Sequence, residues 1–573
     1  MAVLNMDWQR TLFITAILAL SFTLLIEWNA FQEKHTASIV EETTIADERA
    51  TLPTLAATPA STGDIASPTA QASNDIPTAS TPEQTVPSIN TASKQSSSLI
   101  QVTTDVLEIL IDPYGGDIVK VALPQHQQVL GATNKPYILL NKTASTTYVA
   151  QSGLIGTNGT DTAEGRPVFS SAQQQYTLSD SEDELVIDLQ LQQGEALITK
   201  RFTFARGDHL IDVRYLVDNK SSEPWSASLF GQIKRDSHQP LAAGDSGLGV
   251  NPYLGAAITT SEENYKKLNF DDIREETTKT TLEGGWVAMV QHYFLSAWIP
   301  NGEQKNEYTL RKLNSQDIYL LSFTGPAVTI APNSQGSLGA KFYVGPKDID
   351  RLEAISEHLD LTIDFGWLWW IAKPLFHVLK WIHSFLGNWG WAIIVLTMLI
   401  KAGFFHLSAT SYRSMANMRK IGPKMQELKE RFGDDRQRLS QEMMKLYKTE
   451  KVNPMSGCLP IIVQMPVFIS LYWVLMESVE LRHAPFALWI ADLSVKDPYF
   501  ILPLLMGATM FIQQKLNPTP PDPMQAKIMQ WMPVGFTVMF LWFPAGLVLY
   551  WVVNNSLSIL QQYIITRNIE KAD

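Results

Sequence analysis

Five apolar runs crowd the last third of the sequence, at 389–412, 455–479, 499–516, 528–543 and 547–565. Each approaches the roughly 20 residues that a helix needs to cross a bilayer. In lipid every backbone polar group must be satisfied within the chain, so such runs predict helices. The breaks between them agree. "NPTPPDP" at 517–523 is closed to helix by its prolines, and "PAG" at 544–546 leaves room only for a tight turn. A sixth run, 12–26, follows Arg10 and ends in "IEWNAF". Glu27 and Trp28 make a poor cleavage site, so residues 1–28 read as an uncleaved anchor with its N-terminus in the cytoplasm.

The segment after the first core run fixes the orientation. Between 413 and 451 there are eleven Lys or Arg against six Asp or Glu, although the whole chain carries a net charge of −12. A basic block beside a span marks the cytoplasmic side. With six spans, both termini and the segments 413–452 and 517–527 face the cytoplasm, and Arg567 and Lys571 in the tail 566–573 agree. The acidic total gives no sign of specific DNA binding. The one cysteine, Cys458, excludes an internal disulfide and sits in an apolar segment that suits packing.

Residues 29–97 form a flexible linker by composition, with Ala, Ser, Thr and Pro dominating from 36 onward. From 98 to 360 the pattern is strand-like. Leu185, Ile187, Leu189 and Leu191 alternate along one run, and Ile211, Val213, Tyr215 and Val217 along another. Turn signals recur at "PYGGD", "ARGDH", "NGEQKN" and "APNSQG". Short strands without intervening helices predict a β-sandwich, placed outside the cytoplasm by the single span before it. "GDSGLGVNP" carries part of a dinucleotide fingerprint, but Pro252 stands where a helix would run, so it reads as a loop. A short helix over 348–359 leaves the sandwich. Residues 361–388 follow, aromatic, with Lys373, Lys380 and Pro374; they suit a helix in the membrane interface, or a core helix of the β-domain.

The cytoplasmic block reads as a helical hairpin. Met415, Met418, Met425, Leu428 and Phe432 make one stripe; Leu439, Met443, Leu446 and Tyr447 make another. "FGDD" between them supplies a stop and an acidic N-cap, which makes Phe432, Asp434, Asp435 and Arg436 the hairpin tip. Its charges suit either a solvated face or docking to ribosomal RNA, anionic lipid or a targeting receptor.

Lys401 is the costly residue in the spans. It lies twelve residues before Arg413, about 18 Å along a straight helix. A charge at the bilayer centre costs roughly 2.5–3.5 kcal/mol on insertion scales. Thr397 lies one turn earlier, and Gln464, Thr509, Gln513, Asn554 and Ser558 add polar groups in other spans. No acidic residue lies at comparable depth; Glu477, Glu480 and Asp492 lie at or beyond the outer end. Lys401 is therefore left to water, to snorkelling, or to an acidic group of a substrate. Interhelical hydrogen bonding is the default for Gln464 and Asn554, with groove lining second. Neither a phosphate-binding loop, nor H-E-x-x-H, nor G-x-S-x-G, nor a paired intramembrane aspartate occurs, so an enzyme, a cofactor or a metal is not expected. A transporter would show internal repeats with broken helices in paired halves, and the runs here are unlike one another.

Several stretches together resemble the YidC/Oxa/Alb family of membrane protein insertases. They include "GGWVAMVQHYF" (284–294), "HLDLTIDFGWLWWIAKPLF" (358–376), "KVNPMSGCLPIIVQMPVF" (451–468), "APFALWIADLS" (484–494), "DPMQAKIMQWMPV" (522–534) and "LWFPAGLVLYWVVNN" (541–555). The resemblance covers nearly the whole chain and is with the Gram-negative form that has a large periplasmic domain. It implies a polytopic α-helical membrane protein of six spans, a five-span insertase core and a periplasmic all-β supersandwich similar to sugar-mutarotase folds, in the inner membrane. It implies a hydrophilic groove open to cytoplasm and lipid, in which nascent membrane proteins are inserted and folded, alone or with the Sec translocon and its accessory subunits. The family's groove arginine falls on Lys401, which keeps the charge but lacks the planar fork. Its other groove positions fall on Thr397 and Gln464, and its aromatic pair on Tyr550 and Trp551. The hairpin 413–452 is then expected to meet a ribosome or a targeting receptor.

Overall fold

A computed structural model describes residues 75–77, 98–132, 135–239, 252–313, 316–433, 435–450, 459–517 and 523–572. The anchor 1–28, nearly all of the linker, most of "GDSGLGVNP", Cys458 and Asp434 lie outside these residues.

Alternation predicted strands, and the strands pair into two sheets. One has ten strands and runs from Thr278–Glu283 at one edge, through Lys305–Lys312, Tyr319–Ile330, Trp225–Arg235 and Thr147–Ile155, to Gln175–Thr177. The other has nine and centres on Phe294–Pro300, Ser334–Pro346, Leu210–Asn219 and Ala196–Ala205. Ile187, Ile211, Val213 and Tyr215 point between the sheets, where they meet Ile109, Val121, Ile233 and Phe323 in one apolar core. The alternation works because successive side chains of a strand take opposite faces. Gly115 and Gly116 of "PYGGD" turn with φ of 76° and 63°, a region that favours glycine.

The nine-stranded sheet has a second apolar face. Trp286, Ala288, Leu295 and Tyr343 join Ile349, Leu352, Leu359, Phe365 and Phe376, and the same cluster continues into Ile393, Leu471, Leu475 and Leu549 of the helical region. The β-domain is therefore seated on the helices.

Among the described residues the α-helices are α1 (Phe270–Glu275), a sandwich insertion, then α2 (Ile349–Ile355), α3 (Trp369–Leu386), α4 (Trp389–Gly403), α5 (Phe405–Lys420), α6 (Gly422–Phe432), α7 (Arg436–Thr449), α8 (Leu459–Glu477), α9 (Ile501–Leu516), α10 (Pro523–Phe540) and α11 (Ala545–Ala572). α11 packs on α4, α5 and α9, while α3 packs on α4 and α8. Several boundaries differ from the sequence expectation. Residues 359–362 and 366–368 are 3-10 turns, so the helix expected over 348–359 ends at Ile355, and the one expected over 361–388 starts at Trp369. α11 runs on through 566–572, where the sequence alone suggests a tail.

The run 389–412 is not one straight helix. α4 and α5 are bent by 67° at Phe404. The straight-helix figure of about 18 Å from Lys401 to Arg413 therefore does not describe the path. Among the described residues no single helix is long and apolar enough to cross a membrane, but α4 and α5 together are.

α3 keeps Ala372, Phe376, Leu379 and Ile382 inward and leaves Trp367 just before it, and Trp369, Trp370, Trp381 and Phe385 on it, exposed. Its lysines are already partnered: Lys373 with Glu353 and Asp360, Lys380 with Asp350 and Asp348.

Candidate functional site: a polar seam between apolar helices

A lysine that arrives late on an apolar helix must find polar company. Lys401 Nζ, near the end of α4, donates to Ser558 Oγ on α11 at 2.7 Å. Ser558 in turn donates to the Asn554 carbonyl one turn earlier, at 2.8 Å. The side-chain Oδ1 of Asn554 accepts from Gln464 Nε2 on α8 at 2.8 Å. The Tyr550 phenol lies against Gln464, and the Tyr412 hydroxyl of α5 reaches Ser558. Four helices thus contribute to one line of polar groups. The spacing 550, 554, 558 puts all three α11 residues on one face, because residues four apart stack on a helix.

Ion pairs are absent from the seam: among the described residues no carboxylate pairs with Lys401. A lone ammonium with one hydroxyl partner keeps two donors for water or for a passing anion. The α11 face continues with Asn555, whose Nδ2 lies 3.4 Å from Thr509 Oγ1, and Gln562, whose Nε2 donates to the Leu516 carbonyl at 3.0 Å.

The other expected groove residues sit differently. Thr397 is 1% exposed, and its hydroxyl donates to the Ile393 carbonyl of its own helix at 2.7 Å. Trp551 joins an aromatic cluster, edge-on to Phe468 at 4.7 Å and to Phe540 at 5.9 Å, and its indole nitrogen has no hydrogen-bond partner among the described residues. Ser558 and Tyr412 were the residues that sequence reasoning left out of the site. Ser558 stands one turn from Asn554, and that spacing was the available signal.

At the hairpin, Asp435 caps α7 by accepting from the Arg438 amide at 3.0 Å. Arg438 lies 5.2 Å above the Phe432 ring. Arg436 opens α7. Tyr447 approaches Met425 Sδ at 3.9 Å, and Lys424 pairs with Glu450 at 2.7 Å, so the two stripes face each other. α6 buries none of its side chains completely, so its stripe residues Met425, Leu428 and Phe432 stay half-buried.

At the opposite end of the bundle, buried carboxylates shape the connections. Asp497 accepts from Trp489 Nε1 and from the amides of Tyr499 and Leu502 at the start of α9. Asp492 accepts from the His483 and Ser494 amides. Lys347, just after the last strand of the β-domain, pairs with Glu477 at the end of α8 at 2.8 Å.

A two-sheet domain seated on a helical bundle, with a polar seam enclosed by apolar helices, is the class of architecture here. Residues 99–378 match the family model described as YidC periplasmic domain, and residues 381–572 match the one described as 60Kd inner membrane protein. A protein of Cellvibrio japonicus named membrane protein insertase YidC is 60% identical over 99% of this chain and 100% of its own length. One of the same name from Saccharophagus degradans is 55% identical over 99% and 100%. Among solved structures, one titled as an active YidC insertase with its first transmembrane domain resolved aligns over 82% of this chain and 93% of its own, at 18% identity and a TM-score of 0.36. The chain belongs to the YidC family of membrane protein insertases, whose members are not enzymes.

Proposed function

We propose that this chain inserts, folds and helps assemble integral membrane proteins in the inner membrane, with the seam around Lys401 as the path for hydrophilic segments. The observation that carries the reading is the chain of contacts from Lys401 through Ser558 and Asn554 to Gln464, a polar line inside an apolar bundle. A hydrophilic tail that follows it crosses less hydrocarbon. The attached apolar segment then moves sideways into lipid, which supplies the driving force.

The anchor 1–28 and five core spans make six spans, both termini are cytoplasmic, and the β-domain is periplasmic. Large apolar side chains on the outside of the bundle, such as Leu504, Ile512, Trp531 and Val538, suit lipid contact. α3 lies in the outer interface with its exposed indoles in the headgroup layer. The hairpin 413–452 meets a ribosome or a targeting receptor, and Sec translocon subunits meet the β-domain. The test is depletion followed by re-expression. A single-span substrate with a short translocated tail loses protease protection on depletion and regains it with this chain; unchanged insertion without the chain refutes the function.

A further inference from the structure

The linker 29–97 reads as a plain tether, yet its Asp75 lies on the β-domain. Asp75 receives Lys234 Nζ on its carboxylate at 2.8 Å, and its backbone carbonyl accepts from Gln232 Nε2 at 3.0 Å. Gln232 and Lys234 are two apart on Trp225–Arg235, so they share a face, opposite to Ile233 in the core. The ladder carries that face sideways: Gln232 pairs with Gln151 and Ser322, Lys234 with Leu320, and Leu320 with Arg311. The outward side of the ten-stranded sheet is thus polar at its centre. It is also covered, since Gln232 is 2% exposed and Gln151 8%.

The floor of this face is rigid. Gln232 Nε2 also donates to Gln151 Oε1 at 3.0 Å, and Gln151 Nε2 donates to Asp117 Oδ2 at 2.7 Å. Arg166 clamps Asp117 and Asp161 and donates to the Ser152 carbonyl at 2.7 Å. Every member is partnered, so the platform has little freedom to rearrange. Burial alone would raise the Asp75 carboxyl, but Lys234 and, at longer range, Arg166 hold it below its ordinary range. Arg311 also feels the Asp75 charge.

What this face reads is the carboxylate and the main-chain carbonyl of one aspartate, presented where the chain turns at Asp75 and bends at Ile76. The segment is suited to it, because Pro77 disfavours helix at Ile76. We infer that the outward face built by Gln232 and Lys234 is a docking site for an aspartate-bearing turn, and that its occupant is the chain's own stretch around Asp75. Docking moves the point where the chain meets the sandwich from Ser98 to Asp75. If 29–97 is the tether, 23 of its 69 residues are thereby withdrawn from the reach between anchor and β-domain. This rests on the tether reading but not on insertion activity, so the test reads docking directly.

The test is carbodiimide footprinting of the full chain in nanodiscs, with Glu83 of the same linker as the internal reference. Asp75 is expected to label about tenfold more slowly than Glu83, as for a group that must open locally to react. Lys234→Ala is expected to bring Asp75 to the Glu83 rate, and Lys234→Arg to keep it slow. Equal labelling in the unaltered chain overturns the proposal, as does slow labelling that survives Lys234→Ala. Protection that disappears on dilution also overturns it, since the occupant then comes from a second copy.

Discussion

Lys347 and Glu477 form an ion pair at 2.8 Å with their side chains 2% and 5% exposed, across 130 residues of sequence. It ties the end of the β-domain to the end of α8. Lys347 Nζ also reaches the Thr362 carbonyl at 3.3 Å. The β-domain is therefore held at its base by a buried pair and an apolar cluster.

Removing one partner leaves a buried charge alone, which typically costs about 3–5 kcal/mol, whereas replacing both by apolar residues is close to neutral. Glu477→Gln should lower the unfolding temperature of the full chain in nanodiscs, and Lys347→Met with Glu477→Leu should recover most of the loss. Identical melting of the single and double variants would remove the pair from the account of the joint. The same logic refines a deletion. A chain lacking 99–330 keeps Lys347 and should still insert substrates, while one lacking 99–360 orphans Glu477 and should accumulate poorly. Complete loss of insertion by the shorter deletion, with the protein stably in the membrane, would make the β-domain essential.

For Lys401, sign should matter more than shape. Lys401→Arg should insert substrates near the normal rate. Lys401→Leu should fold at least as well, because a buried charge with one hydroxyl partner is gone, yet insert acidic-tailed substrates about tenfold more slowly. Lys401→Glu should be worse for those tails and milder for basic ones. Ser558→Ala should cost about 1–3 kcal/mol of stability by taking the partner from Lys401 and from Tyr412, with the tail preference kept. Protease protection of substrates that differ only in tail charge is the readout. Equal insertion of acidic and neutral tails by Lys401→Leu would assign this lysine a packing role.

The hairpin should act as a surface rather than a set of charges. Deleting residues 432–436 should impair insertion, while single Lys→Ala changes should be mild, because an exposed charge is screened within about 8–10 Å at physiological salt. Asp435→Ala removes the α7 cap and should destabilise the hairpin by about 1 kcal/mol. Insertion assays with matched protein levels decide; a normal rate in the deletion would dismiss the surface.

Glu480, just beyond α8, gives a pH signature. Burial pushes its carboxyl up to about 7, with Asp348 and Asp350 adding to the rise and Lys380 opposing it. The folded chain then binds a proton more readily than the unfolded one. Its contribution is fully present below about pH 4.5, is lost as pH rises through about 7, and is flat above. Glu480→Gln should gain stability over the parent across that window, by roughly 3 kcal/mol at most. The difference between their melting curves at pH 5 and pH 8 measures this; a difference that does not grow with pH would contradict it.

Local pattern made much of this legible. Strand alternation located Ile211, Val213 and Tyr215 in the core, and "FGDD" located the Asp435 cap, because each rule acts within a few residues. Gln464 and Asn554 were visible as polar groups out of place, but their hydrogen bond needed the packing of α8 on α11. The Lys347–Glu477 pair was hidden because each partner alone looks like a surface charge near a turn. The bend at Phe404 had only Gly403 to announce it, with no proline. Asp75 was invisible in a low-complexity stretch whose composition says nothing about a single docked carboxylate.

Helix α3 carries exposed indoles, but its two lysines are spent on carboxylates of its own chain. If it rests on a bilayer as proposed, it does so without asking for anionic headgroups. Changes in lipid charge or in salt that would loosen a polybasic anchor leave such a float where it is. The insertion platform would then keep its height as the composition of the surrounding membrane drifts.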